Sequence, residues 1–210
     1  MHTYLDFRKK IDYIELKKVA EIIKNGEVVV FPTETVYGIG INGLNPNAIK
    51  KLYEAKKRPL NKPINLLVNS ISMVDNIAKD ITDIEYKLMK KFFPGPLTII
   101  LNKKDIVPDL LTANGSTVGV RMPENDIALK LIEYSGVPLA TSSCNISGMP
   151  SRTTVDNIID DFDGKVSCFI NGGRSKIGLA STIVQVIEGI PHILREGSIT
   201  KRQIEKAILE

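Results

Sequence analysis

The chain has almost none of the residues from which metal centres and nucleophilic triads are built. Its 210 residues hold two histidines, His2 and His192, and two cysteines, Cys144 and Cys168. These four show no metal-ligand spacing, which excludes a structural zinc site. Two lone cysteines are more often small hydrophobes than a disulfide. Long apolar runs are missing too: none approaches the roughly 18 residues that span a bilayer. The opening MHTYLDFRKKIDYIEL lacks the apolar stretch of a signal peptide, so the expectation is a cytoplasmic protein with no membrane partner. No repeat, low-complexity tract or linker interrupts the sequence, and residues 1–210 are expected to form one domain.

What is present is a regular alternation of helical and extended patterns. Hydrophobic residues make up 43% and charged residues 25%, ordinary for a globular chain. Helical spacing predicts helices over 15–25, 45–58, 81–93, 126–134, 155–162 and 200–209, with a short one after Ser70 or Ser72. Asn45 and Pro46 form a capped helix start, and Pro59 forces the residue before it out of the helix. Strands are predicted at 27–32, 64–68, 97–101, 117–122, 138–142, 165–170, 181–187 and 192–196. The alternation implies an α/β fold, and the closely spaced last strands imply a mixed sheet.

Gly38, Gly40 and Gly43 spell the dinucleotide-binding pattern after a strand. The context contradicts it, because the helix that should hold the third glycine begins only at Pro46. A Walker-type phosphate loop is also lacking. Net charge is +4, but cations concentrate at Lys50, Lys51, Lys56, Lys57, Arg58 and Lys62. Such a run is either a solvated helix face or a binding surface for phosphate or nucleic acid. Within it, Ile49, Leu52 and Tyr53 form an apolar stripe whose next position is Lys56. An inward lysine either snorkels to water or meets an anion, here a phosphate reached jointly with Arg58.

Five further segments carry polar groups at strand ends. FPTETVYGIG leaves a buried strand through Thr33, Glu34 and Thr35. VGVRMP sets Arg121 in an apolar strand, where its fork suits a carboxylate unless it faces solvent. PLATSSCNISGMPS brings Thr141, Ser142, Ser143, Asn145, Ser147 and Ser151, and STIV and ILREG bring Ser181, Thr182 and Arg195. Each segment alone reads equally as a hydrophilic turn. Together they suggest one concave anion-binding site.

FPTETVYGIG, AKKRPLNKPI, FPGPLT, VGVRMP, PLATSSCNISG, STIV and ILREG occur in the order found in the threonylcarbamoyl-AMP synthase family. From about residue 15 onward the chain resembles that family's YrdC-like domain, in its short single-domain form. The resemblance implies a twisted mixed β-sheet with flanking helices around a large, positively charged cavity. It implies an L-threonylcarbamoyladenylate synthase, a nucleotidyltransferase that joins L-threonine, bicarbonate and ATP and releases pyrophosphate. The product would pass to the machinery that places threonylcarbamoyladenosine at position 37 of tRNA, with weak tRNA binding possible around the cavity.

By the same resemblance Thr33, Arg121, Thr141 and Ser181 would bind L-threonine. Lys56, Arg58, Thr117, Ser143, Asn145, Ser151 and Arg195 would bind ATP. No catalytic nucleophile is expected, since carboxythreonine would attack the α-phosphate itself and the protein would supply positioning and charge. Mg2+ would enter with ATP, held by phosphates and water rather than by a protein metal site. Two motifs differ from the usual family pattern: Ser143-Cys144-Asn145 replaces Ser-Ala-Asn, and Arg195-Glu196-Gly197 replaces Arg-Pro-Gly. The competing readings are a non-catalytic tRNA or double-stranded RNA-binding module and a carbamoyl-adenylate-handling domain.

Overall fold

The computed structural model describes residues 2–156 and 158–209. In chain order the elements are β1 (Thr3–Asp6), α1 (Tyr13–Lys24), β2 (Val29–Phe31), β3 (Gly38–Asn42) and α2 (Pro46–Lys56). Next come β4 (Asn65–Leu67), α3 (Ile71–Ile77), β5 (Ala78–Lys79), α4 (Asp83–Phe92), β6 (Leu97–Lys103) and β7 (Thr117–Arg121). The last are α5 (Asp126–Ser135), β8 (Leu139–Ser143), α6 (Ile159–Phe162), β9 (Cys168–Asn171), β10 (Thr182–Ile187), β11 (Ile190–Arg195) and α7 (Lys201–Leu209).

Local chemistry sets the helix ends. The Asp12 carboxylate accepts from the amides of Ile14 and Glu15 at the start of α1. Asn45 does the same for Asn47 and Ala48 ahead of α2, with Pro46 in its first turn. A reciprocal Thr82–Glu85 capping box opens α4. α2 stops at Lys56, two residues before the predicted end, because Lys57 turns left-handed at φ 51°. The Lys57 and Arg58 amides then close on the carbonyls of Glu54 and Tyr53.

The strands form one mixed sheet in the order β1-β9-β2-β3-β8-β4-β7-β6-β10-β11, with β5 added on β6. β4 and β7 are parallel, whereas β2, β3, β8 and β4 run antiparallel in succession. On one face α1 and α5 pack through Leu16, Val19, Ile23, Leu131 and Ile132 against Phe31, Leu67 and Leu139. The larger core on the other face joins Val30, Ile39, Leu66, Ile99 and Val120 to Leu52 and Tyr53 of α2 and Leu88 and Met89 of α4.

Some sequence expectations are revised. β1, β3 and β5 have no counterpart in the predicted strands. The strand predicted at 165–170 occupies Cys168–Asn171. The helix predicted at 155–162 contracts to Ile159–Phe162, and Asn157 lies outside the described residues. At β3 the misleading signal was glycine itself. An added Cβ on Gly40 would sit 2.8 Å from the Phe31 ring and 2.9 Å from Thr141 Oγ1. These glycines hold a strand open for its neighbours' side chains, and serve no phosphate loop.

Candidate functional site

A cavity of about 130 Å³ opens on the same sheet face as α1 and α5, beyond the part they cover, and Leu67 belongs to both the core there and the cavity wall. Its floor crosses six adjacent strands. β3 contributes Gly38, β8 Thr141 to Ser143, β4 Asn65 and Leu67, β7 Arg121 and β6 Thr98, while Ser181 precedes β10. Register explains why these side chains meet. Thr141 lies between Gly40 and Asn65, and Arg121 is opposite Leu67, so alternate residues of neighbouring strands share the face. Gly119 also matters here, because an added Cβ would run into the amide of Asn65.

Seven of the eleven expected binding residues line this cavity: Thr33, Arg58, Arg121, Thr141, Ser143, Ser181 and Arg195. All four expected threonine-binding residues are among them. Lys56, Thr117, Asn145 and Ser151 are not. Thr117 lies at the far end of β7 from Arg121, opposite Asn102. Ser151 is exposed beside Arg152, whose carbonyl accepts from the Tyr37 amide.

The hydroxyls on the wall have defined polarity. Thr33 donates to the carbonyl of Val36 at 2.6 Å, which uses its single proton. The 2.8 Å contact between Thr33 and Thr35 must therefore be donated by Thr35. Thr35 in turn accepts from Arg121 Nη1 at 2.8 Å. The chain runs one way, from Arg121 through Thr35 and Thr33 to Val36. Thr141 likewise donates to Leu139, so Thr33 and Thr141 meet a ligand as acceptors. Ser181 contacts Thr98 at 2.8 Å and accepts from Arg195 Nη2 at 3.1 Å.

Cations on the wall are guanidiniums. Arg58 donates to the carbonyls of Lys62 and Pro63 and so closes the loop after α2. Arg195 donates to the Ser181 carbonyl through Nε and Nη2. Burial holds both below the usual arginine range, and Arg121 as well, where Glu34 opposes the effect. Among the described residues no carboxylate, thiol or imidazole lines the cavity, and no cluster of three or more His, Cys, Asp or Glu could hold a metal ion.

Lys56 has the inward register that the stripe predicts, and is only 1% exposed. Its ammonium does not reach the cavity. Nζ donates to the carbonyls of Ser143 at 2.5 Å and Asn145 at 2.6 Å. Burial pulls its pKa down to about 8. The Asn145 amide donates to Ile146 and Met149, and the Ser147 amide returns to the Lys56 carbonyl. The end of α2 and the 143–149 segment are thereby tied together behind Ser143. The basic run from 50 to 62 is not one surface: Lys51 pairs with Glu27, Lys56 is buried, and Arg58 is bound to its own loop.

Cys144, the residue that departs from the family motif, is buried in the core with its thiol held far above the usual range by desolvation. Glu196 is exposed, while Arg195 reaches back to Ser181. Sequence reasoning missed Asn65 and Thr98, which line the cavity from inside apolar strands. It read Glu34, whose carboxylate lies 3.5 Å from Arg121, only as part of the polar run that shapes the wall.

Comparison with known proteins adds to this geometry. The Sua5_yciO_yrdC family, described as telomere recombination, matches residues 21–197. The threonylcarbamoyl-AMP synthase of Pyrococcus abyssi (strain GE5 / Orsay) is 43% identical over 210 residues, 100% of this chain and 62% of that protein. The threonylcarbamoyl-AMP synthase of Bacillus subtilis (strain 168) is 42% identical over 195 residues, 92% of this chain and 56% of that protein. The crystal structure of P. abyssi Sua5 complexed with L-threonine matches with a TM-score of 0.95 at 43% identity, covering 98% of this chain and 60% of that one. This chain thus spans less than two thirds of the length of these relatives. Among the described residues no helix is long and apolar enough to cross a membrane.

Proposed function

The chain belongs to the Sua5/YciO/YrdC family, and from that premise we propose that it is an L-threonylcarbamoyladenylate synthase acting as a nucleotidyltransferase. The observation that carries this reading is the convergence of Thr33, Arg121, Thr141 and Ser181, from four separate segments, on one small cavity. A guanidinium fork beside hydroxyls suits an amino acid that brings a carboxylate, an ammonium and its own hydroxyl. Thr33 and Thr141, whose protons are already committed, would accept from the ligand's donors. A site built to hydrogen-bond a hydroxyl strongly rejects analogues lacking it, which would separate threonine from valine.

At about 130 Å³ the cavity is smaller than the roughly 300–1,000 Å³ of a typical drug-sized pocket. It suits the amino acid, with the nucleotide extending outward past Arg58, Ser143 and Arg195. Lys56 and Asn145 would serve the nucleotide by fixing the segment that carries Ser143. Thr117 and Ser151 would reach it only beyond the cavity described. Among the described residues no carboxylate lines the cavity, and Mg2+ belongs to this reading as part of the ATP substrate.

The chemistry needs no protein nucleophile. The neutral amine of threonine bonds to the carbon of bicarbonate as a C–O bond there breaks and water leaves, giving carboxythreonine. Its new carboxylate oxygen bonds to the α-phosphorus as the bond to the β-phosphate oxygen breaks. Pyrophosphate carries away the electron pair. Arg58 and Arg195 would offset charge developing on the phosphates, the usual contribution of preorganised donors in phosphoryl-type transfer. The adenylate would pass to a tRNA threonylcarbamoyl-transfer machinery in the cytoplasm, with residues 1–210 acting as one YrdC-like unit. The deciding experiment is mass spectrometry of purified protein with ATP, Mg2+, threonine and bicarbonate. Threonylcarbamoyl-adenylate and pyrophosphate that require all the substrates support the reading, and their absence from folded protein refutes it.

A further inference from the structure

Glu34 is the residue for which the proposed chemistry has no use. Its side chain is 3% exposed, yet among the described residues neither carboxylate oxygen has a hydrogen-bond partner. Buried polar atoms are nearly always paired, so an orphaned carboxylate next to a site calls for an account. Among the described residues it forms an ion pair with Arg121, Nη1 at 3.5 Å from Oε1, and the arginine side chain is itself 8% exposed. Glu34 adds no surface to the cavity, although Thr33 and Thr35 on either side of it do. Whatever it does to a ligand, it does through Arg121.

The charges around Arg121 suggest what that is. Arg195 is close enough to disfavour a second cation there, and Glu34 opposes it. Without Glu34 this wall of the cavity would present the guanidiniums of buried Arg121 and the more exposed Arg195 and no anion. Such a site attracts any carboxylate and repels an ammonium a few ångströms away, an effect that is large where water is excluded. With Glu34 in place the charge on Arg121 is balanced locally, and a ligand carrying both signs can bring its ammonium close.

We propose that Glu34 is a positioning residue that balances Arg121 and sets the cavity's preference for a zwitterionic amino acid over a simple carboxylate. The inference rests on the reading of the cavity as an amino-acid site. It differs from a merely structural role, in which Glu34 only holds Arg121 in place, by what it predicts for a ligand without an ammonium.

Calorimetry with L-threonine and with (R)-3-hydroxybutanoate, its analogue lacking the amino group, separates the two. Wild-type protein is expected to prefer threonine, and Glu34→Gln to lose about tenfold or more in threonine affinity while binding hydroxybutanoate as well as before or better. Parallel losses of both ligands, or no change in either, would overturn the inference. If Glu34→Gln does not fold by circular dichroism, Glu34→Asp draws the charge back by one methylene and should narrow the preference partway, whereas a parallel fall overturns it. Wild-type protein that binds no threonine would instead overturn the reading of the site, a result visible before any variant is made.

Discussion

The ammonium of Lys56 lies 2.5 Å from the carbonyl oxygen of Ser143, so the last residue of α2 holds the end of β8 in place. A lysine that meets an anion through its charge and a lysine that builds the wall beside that anion give different results on substitution. Lys56→Met keeps the stem and removes two charge-assisted bonds, each worth roughly 1.5–3 kcal/mol, so Ser143 should lose its fixed position. ATP affinity measured by calorimetry is expected to fall at least about tenfold. Lys57→Ala, at an exposed left-handed cap, should leave it unchanged.

The same residue gives a pH signature. Its folded pKa of about 8 lies below the ordinary lysine value of 10.5 because of burial. Between those values the unfolded chain holds more protons, so the contribution of Lys56 to stability rises with pH across the window. The penalty is fully present below about pH 8. Urea unfolding of wild type and Lys56→Met should show the wild type gaining on the variant, by on the order of 3 kcal/mol, as pH rises from 7 to above 10.

Gly40→Ala tests the packing that shapes the floor. Its new methyl would press on Phe31 and Thr141, and Phe31 is fully buried and cannot swing away. Overpacking of this kind costs about 1–3 kcal/mol. Chemical denaturation should show that loss, and calorimetry a weaker affinity for threonine from displacement of Thr141.

Arg121→Lys keeps a positive charge near Glu34 but gives up the planar fork and the bond to Thr35. Threonine affinity is expected to fall about 100-fold, with a much smaller effect on nucleotide binding. Arg121→Ala would be a poor test, because stranding the buried Glu34 carboxylate is expected to cost about 3–5 kcal/mol in stability.

Neither cysteine should react in the native state. Desolvation holds the Cys144 thiol far above its usual range and pushes Cys168 up to about 12. Iodoacetamide at pH 8 should label both only after denaturation. Cys144→Ala, which restores the usual family residue, should retain adenylate formation.

The grouping of the cavity's side chains was more legible in the sequence than the sheet that carries them. Polar groups at strand ends are conspicuous among apolar residues, and Thr33, Arg121, Thr141 and Ser181 converge as expected. Helical periodicity likewise predicted the burial of Lys56, but not its partners, because carbonyl oxygens beyond the next strands leave no mark on a helix pattern. β3 was illegible because Gly38 and Gly40 erase the alternation of a strand, although all five of its residues are buried. β1 is largely exposed, and it becomes a strand through β9 at the other end of the chain. Thr98 carries no signal of its own in an apolar strand, and only the fold sets Ser181 against it. The significance of Glu34 appears only with Arg121, which tertiary structure alone brings near.

The six-strand floor also bears on how the molecule comes into being. Its walls draw on residues from Thr33 to Arg195, so a nascent chain holds most of the pocket's groups long before the pocket exists. β6 pairs with β10, and Ser181 and Arg195 close the last side only when the late hairpin docks. Joining strands so far apart in sequence carries a loop-closure cost and slows folding. A ligand bound across these strands would brace distant parts of the chain against one another. Hydrogen exchange should then slow together in β3, β8, β7 and β10, making occupancy a report on the whole sheet.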